Sequence, residues 1–331
     1  MSKSRVTVIM PTRDNLDTLP KAVDSIRAQN ISDIEIIVVD DGSQDGTAEW
    51  LADFMVIEPR LRIINTDGKG PSYARNRAIE TVNSPLIAFL DSDDWWHAGK
   101  LKLQVAYLEQ HPEIGFSFTD YVHIDMQGNT LETCFEYWKP IFSGRPPLGY
   151  DVLDHAEAEL LACNTVGTST IVARTDLLQK ANGFITNLHS AEDWDLWLRL
   201  AHMAPVAFTS IVGTSYLMRT NSVTARRDVR LNAIKSIIEG YRGYVDPLLQ
   251  AAMRRADARV YAAHADIARL NGEYWAAVKA ELHALMMAPS MRDARACASH
   301  AVHGLKNLVD FTRDKQVEDK NGQVEDKKTA A

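Results

Sequence analysis

Ile34-Glu35-Ile36-Ile37-Val38-Val39-Asp40-Asp41-Gly42-Ser43 sets a β-rich apolar run directly before two acids and a glycine. The arrangement returns at Leu86-Ile87-Ala88-Phe89-Leu90-Asp91-Ser92-Asp93-Asp94, so two predicted strands end in acid clusters. Outward from these, Val6-Thr7-Val8-Ile9-Met10 and residues 61–65 read as further strands. Helix-compatible stretches at 16–29, 47–58 and 71–82 lie between them. In the first stretch Leu19, Ala22, Val23 and Ile26 make one apolar stripe suited to packing on a sheet, and Pro20 sits near the start, where a helix tolerates it. The β-α-β-α alternation predicts an α/β fold with polar groups exposed at the carboxyl ends of the strands.

The chain has 331 residues and a mass of 37.0 kDa, enough for one large domain and an appendage. An apolar fraction of 46% with 24% charged residues excludes a chain disordered throughout and a fibrous one. The net charge of −8 supplies no overall positive field to gather nucleic acid, and no nucleic-acid partner is expected. Cys134, Cys163 and Cys297 lie far apart without metal-ligand spacing, which fits a reducing compartment. Residues 1–5 lead straight into a strand, and no apolar run reaches the roughly 18 residues that span a bilayer. A cytoplasmic protein is expected, with peripheral contact at the inner face of a membrane left open.

After Gly99 a helix to about residue 111, an extended region over 115–124 and a turn at Gln127-Gly128-Asn129 are predicted. A loop follows at Gly144-Arg145-Pro146-Pro147-Leu148-Gly149, then a returning strand over 168–173 and a helix starting near Asp193. From residue 229 to 311 the pattern turns helical, and residues 256–270 and 274–287 read as an antiparallel pair around Asn271-Gly272. The expected organisation is a catalytic domain over 1–228, a helical C-terminal region over 229–311 and a polar tail over 312–331. In the tail Gln316-Val317-Glu318-Asp319-Lys320 recurs as Gln323-Val324-Glu325-Asp326-Lys327. The helices are expected to serve a homodimer or acceptor recognition.

The chemistry lies in the turns. Hard divalent ions prefer carboxylate oxygens and bridge phosphates, so Asp91-Ser92-Asp93-Asp94 suits Mg²⁺ or Mn²⁺ held against a diphosphate, although the spacing of Asp91 and Asp93 alone equally describes an Asx-turn. Gly68-Lys69-Gly70-Pro71-Ser72-Tyr73-Ala74-Arg75-Asn76 joins a glycine-rich connection to a helix and either places Arg75 or Lys69 beside phosphates or is a loop with surface cations and an Asn held by helix packing. Neither Gly-x-Gly-x-x-Gly nor the phosphate-loop Gly-Lys-Ser/Thr pattern occurs there, which counts against a dinucleotide dehydrogenase and a P-loop nucleotidase. Glu192-Asp193 opens the helix Trp194-Asp195-Leu196-Trp197, and acids at that end either cap it or catalyse. Asp193 and Trp197 are four apart and share a helix face.

Taken in order, these elements closely resemble the family 2 glycosyltransferases with the GT-A fold. The resemblance spans residues 6–224 and is strongest at 38–43, 70–76, 89–94 and 192–197. It implies a mixed central sheet carrying a nucleotide-sugar site, followed here by a helical C-terminal appendage. Pro11-Thr12-Arg13 and Asp40-Asp41 are implied to border the base of a UDP-linked donor, with Arg13-Asp14-Asn15 standing where the family often has an aromatic residue before the Asn. Arg75, Asn76, Asp91, Ser92 and Asp93 are implied to complete the donor pocket, with Asp93 the first metal ligand and Asp91 a second or a sugar contact. By the same resemblance Asp193 is the general base and Glu192 orients the acceptor or positions the loop. From their places in the chain, Trp194 and Trp197 are expected on an acceptor-binding wall, and His189, just before the helix, either touches the acceptor or metal or serves only its loop.

The implied activity is metal-dependent, inverting transfer from a nucleotide-diphosphate sugar to a hydroxyl of a glycan, glycolipid or glycosylated protein. Single displacement needs one acceptor base, because the leaving group is a diphosphate. A carbohydrate-binding protein without turnover and a nucleotide-sugar hydrolase are the competing classes.

Overall fold

The computed structural model describes residues 4–138, 149–219 and 227–306. The expected loop at 144–148 and the duplicated tail lie outside them. The chain divides into two compact units, Met1–Ile237 and Ile238–Ala331, with the break inside a helix at Arg227–Glu239.

In the first unit β1 (Val6–Thr12), β2 (Ile34–Asp40), β3 (Leu61–Asn65) and β4 (Leu86–Phe89) alternate with α1 (Leu19–Arg27), α2 (Thr47–Ile57) and α3 (Pro71–Ile79). β5 (Trp95–Trp96), α4 (Lys100–Gln110), β6 (Phe116–Ile124), β7 (Thr130–Thr133) and α5 (Cys134–Tyr137) follow. Then come β8 (Tyr150–Val152), α6 (Ala156–Ala162), β9 (Val172–Arg174), α7 (Thr175–Lys180), α8 (Glu192–Met203), β10 (Val206–Leu217) and α9 (Arg227–Glu239). The strands form one ten-stranded mixed sheet in the order β3-β2-β1-β4-β9-β6-β10-β5, with β7 beside β6 and β8 beside β10.

β1, β2, β3 and β4 are mutually parallel, β9 runs against β4 and β6, and β6 and β10 are parallel again. The chain steps outward from β1 through β2 to β3 and then returns to place β4 on the other side of β1. This reversal opens a crevice beyond the carboxyl ends of β1, β2 and β4, the edge where both acid clusters emerge. The central strands are buried along their length because helices cover both faces, which explains their continuous apolar runs. The stripe Leu19, Ala22, Val23 and Ile26 of α1 is wholly buried in this core.

Two elements differ from expectation. Thr168–Thr170 is a 3-10 turn, and the strand begins only at Val172. Gly167 O accepts both Thr170 N–H (2.9 Å) and Thr170 Oγ1–H (2.7 Å), closing the turn before a ladder can form. β10 is a twelve-residue strand that sequence patterning did not isolate, interrupted by bulges between Thr209 and Thr214.

The second unit contains α10 (Pro247–Leu270) and α11 (Tyr274–Met287), with residues 291–306 also helical. Asp246-Pro247 starts α10: Asp246 accepts Leu248 N–H at 2.7 Å and Pro247 takes the first turn. Ala265, Ala268 and Ala277 form the α10–α11 seam, where small side chains allow close approach.

Candidate active site

At the end of β2, Asp40 folds back to accept Ser43 N–H at 3.0 Å. Asp41 reaches across to the connection after β3, where Oδ1 accepts from Thr66 Oγ1 (2.5 Å) and Lys69 N–H (3.0 Å) and Oδ2 accepts Gly70 N–H (2.7 Å). Its own N–H donates to Thr12 O at 2.9 Å. Asp41 therefore moulds the 66–70 loop and sets the start of α3. Pro11 and Thr12 are buried at the end of β1, and Thr12 Oγ1 has no hydrogen-bond partner among the described residues. Arg13 is exposed and lies across Gly68, whose φ of +71° and lack of a Cβ allow that approach.

Beyond β4 the four residues of the acid turn face different ways. Ser92 is buried and accepts from Asn15 Nδ2 at 2.9 Å. Asp91 accepts a charge-assisted bond from Arg75 Nη2 at 2.6 Å. Burial, then Asp91, pushes the Asp93 carboxyl up to about 6, against the pull of Arg219. Asp94 is buried, accepting Ser169 Oγ–H at 2.5 Å and Leu217 N–H at 3.2 Å, and burial followed by repulsion from Asp93 and Asp91 holds its carboxyl well above the ordinary range. Ser169 Oγ also accepts Asp91 N–H at 3.1 Å, so one hydroxyl fastens both ends of the turn.

At the opposite wall Ala191 adopts a left-handed conformation (φ 56°) and starts α8, with Glu192, Asp193 and Asp195 in the helix's first turn. Asp193 Oδ2 accepts from Thr168 Oγ1 at 3.0 Å, a bond that the unexpected 3-10 turn makes available. Burial, then Asp193, raises the Glu192 carboxyl despite Arg75 Nη1 at 3.3 Å. Arg75 thus spans Asp91 and Glu192, with Phe184 below it at 5.2 Å. It is only 4% exposed, and its Nε has no hydrogen-bond partner among the described residues.

Asn76, Trp194 and Trp197 are engaged with the protein interior rather than the crevice. Asn76 uses both ends of its amide on the Phe184 backbone, donating to O at 2.7 Å and accepting N–H at 2.8 Å. Trp194 and Trp197, expected on an acceptor wall, are 1% and 0% exposed and face the core. Trp194 Nε1 donates to Leu160 O, and Trp197 packs among Phe89, Phe116 and Phe184, because α8 turns its apolar face toward the sheet. His189 is exposed on the approach to α8.

Sequence reasoning missed Asp94, Ser169, Thr168 and Phe184. Asp94 stood within the acid motif, whereas nothing local marked the 167–170 segment. Arg219 donates to Asn15 Oδ1 (3.0 Å) and to both oxygens of Asp17, tying the exit of β10 to the loop after β1.

No cluster of three or more His, Cys, Asp or Glu that would hold a metal forms among the described residues. Asp91 and Asp93 nevertheless fit a divalent ion that draws its remaining ligands from a diphosphate and water: they are hard oxygen donors, and the partly buried Asp93 carboxyl lacks a full counter-charge.

A family model described as Glycosyl transferase family 2 matches residues 7–154. The chain is 30% identical over 238 residues to the Escherichia coli UDP-Glc:alpha-D-GlcNAc-diphosphoundecaprenol beta-1,3-glucosyltransferase WfaP, covering 70% of this chain and 86% of that one. It is 28% identical over 227 residues to the putative teichuronic acid biosynthesis glycosyltransferase TuaG of Bacillus subtilis, covering 68% and 83%. An uncharacterized glycosyltransferase of Rickettsia felis is 29% identical over 198 residues, 60% of this chain but only 30% of that longer protein. Among solved structures, mannosyltransferase PcManGT of Pyrobaculum calidifontis, in complex with GDP-Man and Mn²⁺, aligns with a TM-score of 0.62 at 20% identity, covering 92% and 81%. S. aureus TarS 1–349 in complex with UDP-GlcNAc aligns at 0.61 and 18% identity, covering 86% and 82%. At these identities the structural likeness is one of fold.

Proposed function

The chain belongs to the family 2 glycosyltransferases, and on that premise we propose that it transfers a sugar from a UDP-linked donor to a hydroxyl of a glycan or glycolipid with inversion at the sugar carbon. The observation that carries this reading is the convergence of the turn after β4 with the start of α8. Asp91 and Glu192 are bridged by Arg75, and Asp193 is held by Thr168 beside them.

In this mechanism the crevice beyond β1 and β2 receives the base. Asp40 and Asp41 shape the floor beside the buried, unpaired Thr12 hydroxyl, and Arg13 lies at the mouth across Gly68. Asp91 and Asp93 would hold Mn²⁺ or Mg²⁺, which when bound supplies positive charge to the departing diphosphate. Asp193 takes the acceptor hydroxyl proton as that oxygen attacks, and Thr168 orients its carboxylate. The C–O bond to the diphosphate breaks as the new C–O bond forms, and the proton ends on Asp193. Glu192 aligns the acceptor beside it. The names of the WfaP and TuaG relatives support a glycolipid or polysaccharide acceptor, and the UDP-Glc in the name of WfaP supports a UDP donor.

The test is a mass-spectrometric screen of UDP-sugars against glycan acceptors and a GlcNAc-diphospho-lipid, with Mn²⁺, with Mg²⁺ and with chelator. We expect one sugar to be added, with inverted configuration, and the product to disappear with chelator. A folded Asp193→Asn variant should lose about 10²-fold or more in rate. Donor binding without conjugation across the panel would favour a binding protein. UDP release that acceptor does not accelerate would favour a hydrolase, and retention of configuration would refute the single displacement.

A further inference from the structure

Three features set Arg75 apart from an ordinary phosphate-binding arginine. It is 4% exposed, its two terminal nitrogens hold acids from separate motifs, Asp91 and Glu192, and an aromatic ring lies 5.2 Å beneath it. Its neighbour Asn76 clamps the backbone of Phe184, the residue that supplies that ring. At the start of α3, Asp41 holds Lys69 N–H and Gly70 N–H just before Pro71 opens the helix. One short helix therefore links the floor of the proposed base pocket to the two acid motifs, held by hydrogen bonds at its start and at its middle.

We infer that Arg75 is a positioning residue rather than a donor contact: its planar fork sets the spacing between the donor-side Asp91 and the acceptor-side Glu192–Asp193 pair. The inference rests on the transferase reading above. A guanidinium suits the task because it offers two rigid, divergent N–H directions, whereas a lysine ammonium is a single point on a flexible stem. Phe184 supports the guanidinium plane, and Asn76 fixes Phe184. The distance between the attacking and departing sides of the reaction is thereby built into the apo protein. Errors of about 1 Å in such a spacing are expected to cost on the order of 10²-fold in rate.

The experiment is a cycle of Arg75→Lys, Glu192→Gln and the double variant. UDP affinity with Mn²⁺ is measured by calorimetry, and kcat is measured with the donor and the GlcNAc-diphospho-lipid of the screen above. Arg75→Lys should lower kcat by about 100-fold while UDP affinity changes less than about threefold, and adding Glu192→Gln should cost little more. Loss of UDP affinity with kcat preserved would make Arg75 a donor contact and overturn the inference. So would additive effects of the two substitutions.

Phe184→Leu, which leaves both acids in place, gives a second reading if Arg75→Lys does not fold: it should lower kcat with UDP affinity intact, and an unchanged kcat counts against positioning. If the wild-type protein makes no conjugate, the transferase reading fails on its own. The same Arg75→Lys and Glu192→Gln cycle, followed by urea unfolding, then still decides whether the bridge exists, since additive unfolding midpoints would refute it.

Discussion

Replacing Gly183 by alanine should disturb the link between α3 and α8 without touching an acid of the site. Gly183 has a φ of +62°, and a Cβ there would overlap Asn76 Oδ1 and come within 3.1 Å of its Cγ. The backbone cannot simply back away, because Arg199 holds Gly183 O at 2.8 Å and Ala181 O beside it. Asn76 must therefore swing out and release both Phe184 N–H and Phe184 O. A left-handed alanine costs about 1 kcal/mol, and two lost hydrogen bonds to a largely buried backbone add about 1 kcal/mol each or somewhat more.

The expected loss is about 3–4 kcal/mol, read by urea unfolding with tryptophan fluorescence. Trp197, 5.8 Å from the Phe184 ring, is the local reporter. In an Asn76→Ala background the obstructing amide is gone, so Gly183→Ala should cost only the conformational part, about 1 kcal/mol. A cost under about 1 kcal/mol in the wild-type background, or additive effects of the two substitutions, would refute the reasoning.

Two further predictions concern buried ionisable groups away from the acids of the site. Lys100 is buried with its Nζ 4.2 Å from the Trp96 ring and no hydrogen-bond partner among the described residues, and burial holds its pKa well below the ordinary lysine range. The unfolded chain then binds the extra proton, so stability should rise as pH climbs toward the unfolded lysine value near 10.5. Lys100→Met should flatten that rise and stabilise the protein at pH 7 by about 1–3 kcal/mol, measured by urea midpoints across pH; an unchanged slope would contradict this account. Burial pushes the Asp120 carboxyl up to about 6, while its Oδ1 accepts Tyr121 N–H and Phe135 N–H. Its protonated form favours the fold at low pH, and that contribution is lost as pH rises through about 6. Asp120→Asn keeps an oxygen for both bonds and should stabilise the protein at pH 7 by no more than roughly 3 kcal/mol, an effect absent at pH 3.5; destabilisation at pH 7 would mean that the ionised carboxylate is needed.

The parallel half of the sheet was legible because each strand is covered on both faces and reads as an apolar run, and the acids begin where that cover ends. α1 was legible for the same reason, since a one-sided stripe has one place to go. β10 was not, because its bulges break the period of two and its partners come from strands distant in sequence. The 168–170 segment looked like strand because threonine suits strands, while the carbonyl of Gly167 was free to accept a tighter turn.

Trp197 shows the limit for side chains. Four residues from Asp193, it shares a helix face with an acid at the site and still points into the core, because a helix face is wide enough for both. Which groups gather at the carboxyl edge is legible in the chain, since strand ends and turn chemistry are local properties. How those groups are used is a matter of packing: Asp41 and Asn76 hold neighbouring loops, Asp94 sits beneath the acid turn, and Arg75 lies between two acids 101 positions apart in the chain. Hydrogen bonds and burial between distant segments depend on how the strands are ordered across the sheet, and no local pattern encodes that order.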